Sequence, residues 1–209
     1  MQLGEGAVHL VGFLPLEGQT ALASWCRDAV DGDVPAYVPT VRGGGRMHVR
    51  MLCLGRHWNG KTYSYEDRRT DYDDAPAPPL PGHLRDLAMA AAAAAGTAIH
   101  PDLCILNYYD AEGRMGLHQD KDESPRSIAA GIPVVSISIG DTARFLFGGL
   151  RRRDPVEAFE LRSGDAFVFG GSSRLRYHGV SRIVPNTAPG ELELTGRFNL
   201  TFRQYDAGD

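Results

Sequence analysis

The stretch "GRFNLTFRQY", residues 196–205, decides how the rest of the chain is read. Side chains of an extended strand alternate between faces. Arg197, Asn199, Thr201 and Arg203 therefore share one face, and Phe198, Leu200 and Phe202 the other. A half-buried strand with its polar side in water gives the same pattern. Two guanidiniums on one narrow face suit something more specific, a dicarboxylate ligand, because guanidinium pairs with carboxylate through two parallel hydrogen bonds. "LCILNYYD" (103–110) is built the same way. It places Ile105, Asn107 and Tyr109 on one face, and Asn107 and Tyr109 can donate hydrogen bonds to the same ligand.

Working outward, the second half of the chain is a series of short strands separated by turns. Candidates are 103–109, 134–139, 144–147, 157–161, 166–169, 175–178 and 197–203. That spacing favours a β-sandwich or jelly roll. The first hundred residues have a different texture. Leu16, Ala23, Trp25, Cys26, Ala29 and Val30 recur at helical spacing, which predicts a helix over 16–30. A second helix is expected over 82–95, between Pro81 and Gly96. Residues 41–55 suggest a strand after a flexible triple-glycine turn. Residues 56–67 suggest a hairpin or exposed loop, and 73–82 is a proline-rich spacer.

With 209 residues the chain suits one compact domain. Its net charge is −4, so any contact with nucleic acid must use a local patch rather than a global field. No stretch is apolar enough to span a bilayer; the alanine-rich run 87–96 has half the needed length. Three scattered cysteines, Cys26, Cys53 and Cys104, make no disulfide framework and suit a reducing compartment. With no secretory signal visible, a cytoplasmic protein is expected.

"LHQDKDE" (117–123) is the run whose residue types could hold a metal ion. If 117–120 is extended, His118 and Asp120 point the same way and can take two adjacent positions on one ion. A third ligand would complete a 2-His-1-carboxylate triad with open positions, the arrangement of non-haem Fe(II) oxygenases. His178, in "LRYHGV", is the best third candidate. Taken alone, His-x-Asp arises often by chance. The other histidines, His9, His48, His57, His83 and His100, lack ligand-like context and are expected to be exposed or hydrogen-bonded structural residues, His57 lying within the 56–67 segment.

Asn-x-Tyr, His-x-Asp, His and Arg-x-Asn-x-Thr-x-Arg follow one another in that order between about 103 and 205. In this the chain resembles the AlkB family of Fe(II)- and 2-oxoglutarate-dependent dioxygenases, nearer its DNA-repair branch than distant oxygenases. The resemblance implies a mainly β (α+β) fold: a double-stranded β-helix, or jelly roll, over 101–209, with N-terminal helices and a nucleotide-recognition lid over 1–100, all one domain. It implies that His118, Asp120 and His178 bind iron. Arg197 would clamp the distal carboxylate of 2-oxoglutarate with Tyr109 and Asn107, and Arg203 and Asn199 would hold the end nearer the metal. Trp58, Tyr63 and Tyr65 resemble the base-stacking lid aromatics, Asp122 the acidic residue beside a flipped base, and Arg152 a substrate contact. The expected reaction uses Fe(II), 2-oxoglutarate and O2 to remove N-methyl groups from bases such as 1-methyladenine and 3-methylcytosine, with formaldehyde, succinate and CO2 as products. The expected partner is alkylated DNA or RNA, met by a monomer. A second reading keeps the iron site but acts on tRNA, protein or a small molecule. Two departures from the family stand out: a shortened segment between Trp58 and Tyr63, and a longer loop, 124–133, after the metal motif.

Overall fold

The structure is a computed structural model that describes residues 1–206. Among these, twelve strands and three α-helices follow in the order β1 (Ala7–Leu10), α1 (Leu16–Val30), β2 (Arg50–Leu54), β3 (His57–Asn59), β4 (Ser64–Glu66), α2 (Gly82–Ala94), β5 (Leu103–Tyr109), β6 (Met115–His118), α3 (Pro125–Ala129), β7 (Val134–Gly140), β8 (Thr142–Phe147), β9 (Glu157–Leu161), β10 (Ala166–Phe169), β11 (His178–Val184) and β12 (Arg197–Arg203).

The last eight strands form a double-stranded β-helix. A major sheet runs β1-β10-β7-β12-β5-β2 and a minor sheet β6-β11-β8-β9. Successive strands from β5 onward mostly alternate between the two sheets, so every hydrogen-bonded neighbour along them is antiparallel. The first hundred residues do more than supply helices and a lid: β1 pairs with β10 and β2 with β5, extending the major sheet by one strand on each side.

Two apolar layers hold the sheets. On the outer face of the major sheet, Phe198, Leu200 and Phe202 pack against Leu22, Ala23 and Cys26 of α1 and Leu84, Ala88 and Ala92 of α2. Between the sheets lie Phe145, Phe147, Phe167, Phe169 and Val180, with ring centroids of Phe147 and Phe167 5.0 Å apart edge-to-face. The alternation of β12 thus sends its apolar side to the helices and Arg197, Thr201 and Arg203, all buried, into the barrel.

Three segments differ from expectation. Residues 41–49 are not strand: Gly43 and Gly44 take φ +92° and +84°, a left-handed conformation that no strand continues through. The strand sought over 175–178 begins at His178 and runs on to Val184, because a 3₁₀ turn at Gly171–Ser173 takes up the preceding residues. The loop 124–133 contains α3, capped by the Ser124 side chain on the Ser127 N–H with proline in its first turn. Tyr205, just beyond β12, accepts from the Ser124 N–H at 3.0 Å and the Ser127 hydroxyl at 3.0 Å through its carbonyl. That loop fastens the end of β12.

Candidate active site

His118 ends β6 and His178 opens β11, and the two residues are register partners in the minor sheet. Asp120 lies just past β6. The three side chains bring their ligand atoms within 4.8 Å of one another. His118 Nε2 is 3.5 Å from Asp120 Oδ1, and His178 Nε2 is 3.5 Å from Asp120 Oδ2. Each imidazole is oriented from behind: Nδ1–H of His118 donates to the Gly116 carbonyl at 2.9 Å and that of His178 to the Arg176 carbonyl at 3.0 Å. These bonds fix the tautomer and leave both Nε2 lone pairs aimed at a common point.

The electrostatics favour ligands over protons. Burial, reinforced by neighbouring His118, pushes the His178 imidazole down, keeping it neutral. Burial alone would raise the Asp120 carboxyl; the Arg203 guanidinium, helped by His178 and His118, outweighs it and holds the group well below the usual carboxylate range. Arg203 contacts Asp120 Oδ2 at 2.7 Å, lies 3.2 Å from Glu123 Oε1, and donates to the Tyr65 hydroxyl at 2.7 Å. Glu123 is held in turn by Arg174 at 2.8 Å, and Arg174 also donates to the Asp120 carbonyl. Arg203 thus orients Asp120 while also lining the inner cavity beside the triad.

Arg197 is differently placed. It is 1% exposed, and its partners are the Asp141 and Leu161 carbonyls and the Ser138 hydroxyl, at 3.2, 3.1 and 2.6 Å. None carries a charge, and Nε is buried without a partner. Burial pushes this guanidinium down to about 10. Across the sheet Tyr109 is its register partner, and the Tyr109 hydroxyl reaches nothing better than Met115 Sδ at 3.9 Å. Asn107 Oδ1 is buried and unpaired as well. Asn199 donates to the Ser136 hydroxyl at 2.7 Å and accepts from Thr201 at 2.9 Å. Asn107, Tyr109, Asn199 and Arg203 line a narrow inner cavity together with the triad.

An outer cavity of about 380 Å³ opens from His118 and Asp120 to the surface. Trp58, Tyr63, Tyr65, Asp122 and Arg152 all line it. Trp58 donates its indole N–H to Asp122 Oδ2 at 2.8 Å, and Tyr63 stands edge-on to Trp58 at 5.7 Å. The Tyr63 ring carries Arg42 at 5.0 Å and is the exposed edge of the hairpin. Tyr65 sits deeper, spending its hydroxyl on Arg203. Arg152 crosses from the β8–β9 turn to donate to the Leu117 carbonyl at 2.5 Å.

The family described as the 2OG-Fe(II) oxygenase superfamily matches residues 6–203. The alpha-ketoglutarate-dependent dioxygenase AlkB of Escherichia coli (strain K12) is 40% identical over 168 residues, covering 78% of this chain and 74% of its own. The chain belongs to the AlkB family of 2OG-Fe(II) oxygenases. A second relative, the DNA N(6)-methyladenine demethylase ALKBH1C of Arabidopsis thaliana, is 40% identical over 221 residues. That match takes in 96% of this AlkB-family chain but 48% of the relative, so the chain spans about half the length of such relatives. The solved structure of OsALKBH1 superposes with a TM-score of 0.91 at 39% identity, covering 98% of this chain and 99% of that one.

Iron(II), 2-oxoglutarate and O2 are the cofactor set of this AlkB-family chain. The residues present fit them: two imidazoles and a carboxylate converge on one point, and a buried guanidinium hydrogen-bonded to neutral groups, with Nε unpartnered, stands beside a tyrosine hydroxyl whose contact is Met115 Sδ. Reading the sequence missed Glu123, Arg174 and Ser138, which hold Asp120, Arg203 and Arg197 in place. Glu123 lies in the quoted "LHQDKDE" run. Arg174, in "SSRLRYH", could have been found only as a charge in an otherwise strand-like approach to His178.

Proposed function

We propose that the protein oxidatively demethylates N-alkylated bases of nucleic acid, using iron(II) and 2-oxoglutarate. The observation that carries this reading is the outer cavity: it opens directly on the triad and is walled by Trp58, Tyr63 and a carboxylate, Asp122. An aromatic wall stacks a base of any sequence, and a carboxylate favours a cationic base or one with an exocyclic N–H to donate. A cavity of this kind takes a base extruded from its stack.

His118, Asp120 and His178 would hold the iron, and Arg197 with Tyr109 and Asn107 the far carboxylate of 2-oxoglutarate. The chemistry those groups supply when bound is oxidative decarboxylation to succinate and CO2, coupled to hydroxylation of the N-methyl carbon and release of formaldehyde. The chain's own part is placement. Arg203 and Glu123 keep Asp120 ionised and aimed. Asn199 shapes the inner cavity beside the metal end of the co-substrate. Trp58 offers its ring to the base with Tyr63 buttressing it edge-on, Asp122 accepts from the base's amino edge, and Arg152 stands where a flanking phosphate would pass. The same reading takes a monomer in the cytoplasm, since three buried free thiols suit a reducing compartment.

Two lesion classes fit. Cationic 1-methyladenine and 3-methylcytosine suit the Asp122 carboxylate. N6-methyladenine is favoured by the likeness to the Arabidopsis relative named for it. An oligonucleotide panel carrying each base, in DNA and in RNA, with mass loss of one methylene and formaldehyde release as readouts, tests the proposal. Turnover of at least one base that is abolished by His118→Ala is the expected result. Succinate formation with no change in any oligonucleotide would reject nucleic acid as substrate.

A further inference from the structure

A second buried cluster of titratable groups lies at the root of the β3–β4 hairpin, away from both cavities. His57 Nε2 and Asp71 Oδ1 are 2.6 Å apart, with both side chains 1% exposed. The Tyr37 hydroxyl donates to the same carboxylate at 3.1 Å, and Arg69, also buried, lies 4.9 Å over the Tyr37 ring. Tyr37, His57 and Asp71 line neither cavity.

The cluster is anchored at both ends. Tyr37 exchanges backbone hydrogen bonds with Met51 of β2, at 3.1 and 2.7 Å. Asp71 accepts from Lys61 Nζ at 2.9 Å through its carbonyl, which reaches the hairpin's turn. A continuous path of bonds runs from β2 through Tyr37 and Asp71 to His57, and His57 is the chain neighbour of Trp58. His57 Nδ1 is buried without a partner, so the ring's bonding passes through Nε2 alone. Neighbouring residues of a strand point to opposite faces. Holding His57 inward therefore turns Trp58 to the cavity, where its indole meets Asp122.

Strands of three residues have little rigidity of their own. Apolar packing would stabilise such a hairpin as well as a buried hydrogen bond does, since desolvating the polar partners offsets most of what the bond gains. What the pair adds is direction: one short bond permits one rotation of β3.

We propose that His57 and Asp71 are positioning residues for Trp58. They lock the hairpin in the rotation that presents the indole over the outer cavity, and so set affinity for the base rather than the rate at the metal. This rests on the reading of the outer cavity as a base site.

The test uses the iron-loaded protein in a Trp25→Phe background, where Trp58 is the remaining tryptophan of the two in the sequence. His57→Leu and Asp71→Asn are expected to raise KM for a methylated oligonucleotide about tenfold, the scale of an orphaned buried polar group. In both variants kcat stays within about twofold. Trp58 emission shifts to the red and becomes more open to a soluble quencher. His57→Gln, whose amide nitrogen reaches the Nε2 position, recovers most of both effects. A fall in melting temperature alone, with KM and Trp58 emission unchanged, overturns the proposal. Should His57→Leu not fold, Tyr37→Phe is read by the same two measures, and parental values of both would equally overturn it. Should the parent turn over no methylated oligonucleotide, the substrate reading fails while Trp58 emission still decides the role of the cluster.

Discussion

Arg197 is a buried cation surrounded by two carbonyls, a hydroxyl and an unspent tyrosine. A guanidinium in that state gains a great deal from one carboxylate. Arg197→Ala is expected to cost about 2–4 kcal/mol of 2-oxoglutarate binding, a rise in its half-saturating concentration of roughly thirtyfold to several hundredfold. Titrating succinate formation against 2-oxoglutarate measures it, and an unchanged requirement would remove Arg197 from the role. Arg203 is spent differently, since its contacts go to Asp120, Glu123 and Tyr65. Sequence parity placed both arginines on one face correctly. It could not apportion them, because the difference lies in what surrounds each guanidinium. Glu123 and Arg174 escaped for the same reason: a buried ion pair and a solvated charge look alike in a sequence. His57 read as a structural histidine with no ligand context, and the structure does bury it, but its partner Asp71 lies fourteen residues on with no periodicity linking them.

Among the elements, β5, β9, β10 and β12 were legible because apolar and polar residues alternate, or run unbroken, between clear turns. α1 and α2 were legible from apolar spacing and, for α2, from its flanking Pro81 and Gly96. β1 went unread and β6 was met only at its end, in the extended reading of 117–120, each being four residues and defined by its partners rather than by pattern. The "SPRS" at the start of α3 carried a visible signal, a serine cap followed by proline, inside a stretch taken as loop. β1 itself is stapled by one carboxylate. Asp165 accepts from His9 Nε2 at 2.9 Å, the Gly12 N–H at 2.8 Å and the Arg162 N–H at 2.9 Å. Burial would raise this carboxyl, but the His9 bond and the two amides outweigh it and hold it below the usual range. A depressed folded value means the contribution is present above the unfolded carboxylate value of about 4 and is lost as pH falls through the folded one. Asp165→Asn should lower stability by about 1–3 kcal/mol at neutral pH and flatten the acid limb below pH ~4. Denaturant melts across pH check this; an acid limb as steep as the parent's would contradict it.

At the scale of the molecule, a chain of net charge −4 keeps Arg42, Lys61, Lys121 and Arg152 at the mouth of the outer cavity or on its hairpin. If the proposed substrate is right, a local cationic rim on an acidic body makes its binding depend on salt through the few phosphates it neutralises. Arg152→Ala should reduce the slope of log affinity against log salt by about 0.7–0.9 for an oligonucleotide, measured by anisotropy; the parental slope would exclude a phosphate contact. The triad carries a different consequence. Its imidazoles are oriented by the Gly116 and Arg176 carbonyls and its carboxylate by Arg203, none of which is selective for one metal. Two nitrogens with one oxygen bind zinc, nickel or copper at least as avidly as ferrous iron. Fidelity for the working ion must then come from which metals its surroundings leave free, and a competing divalent ion would silence the enzyme by simple occupancy.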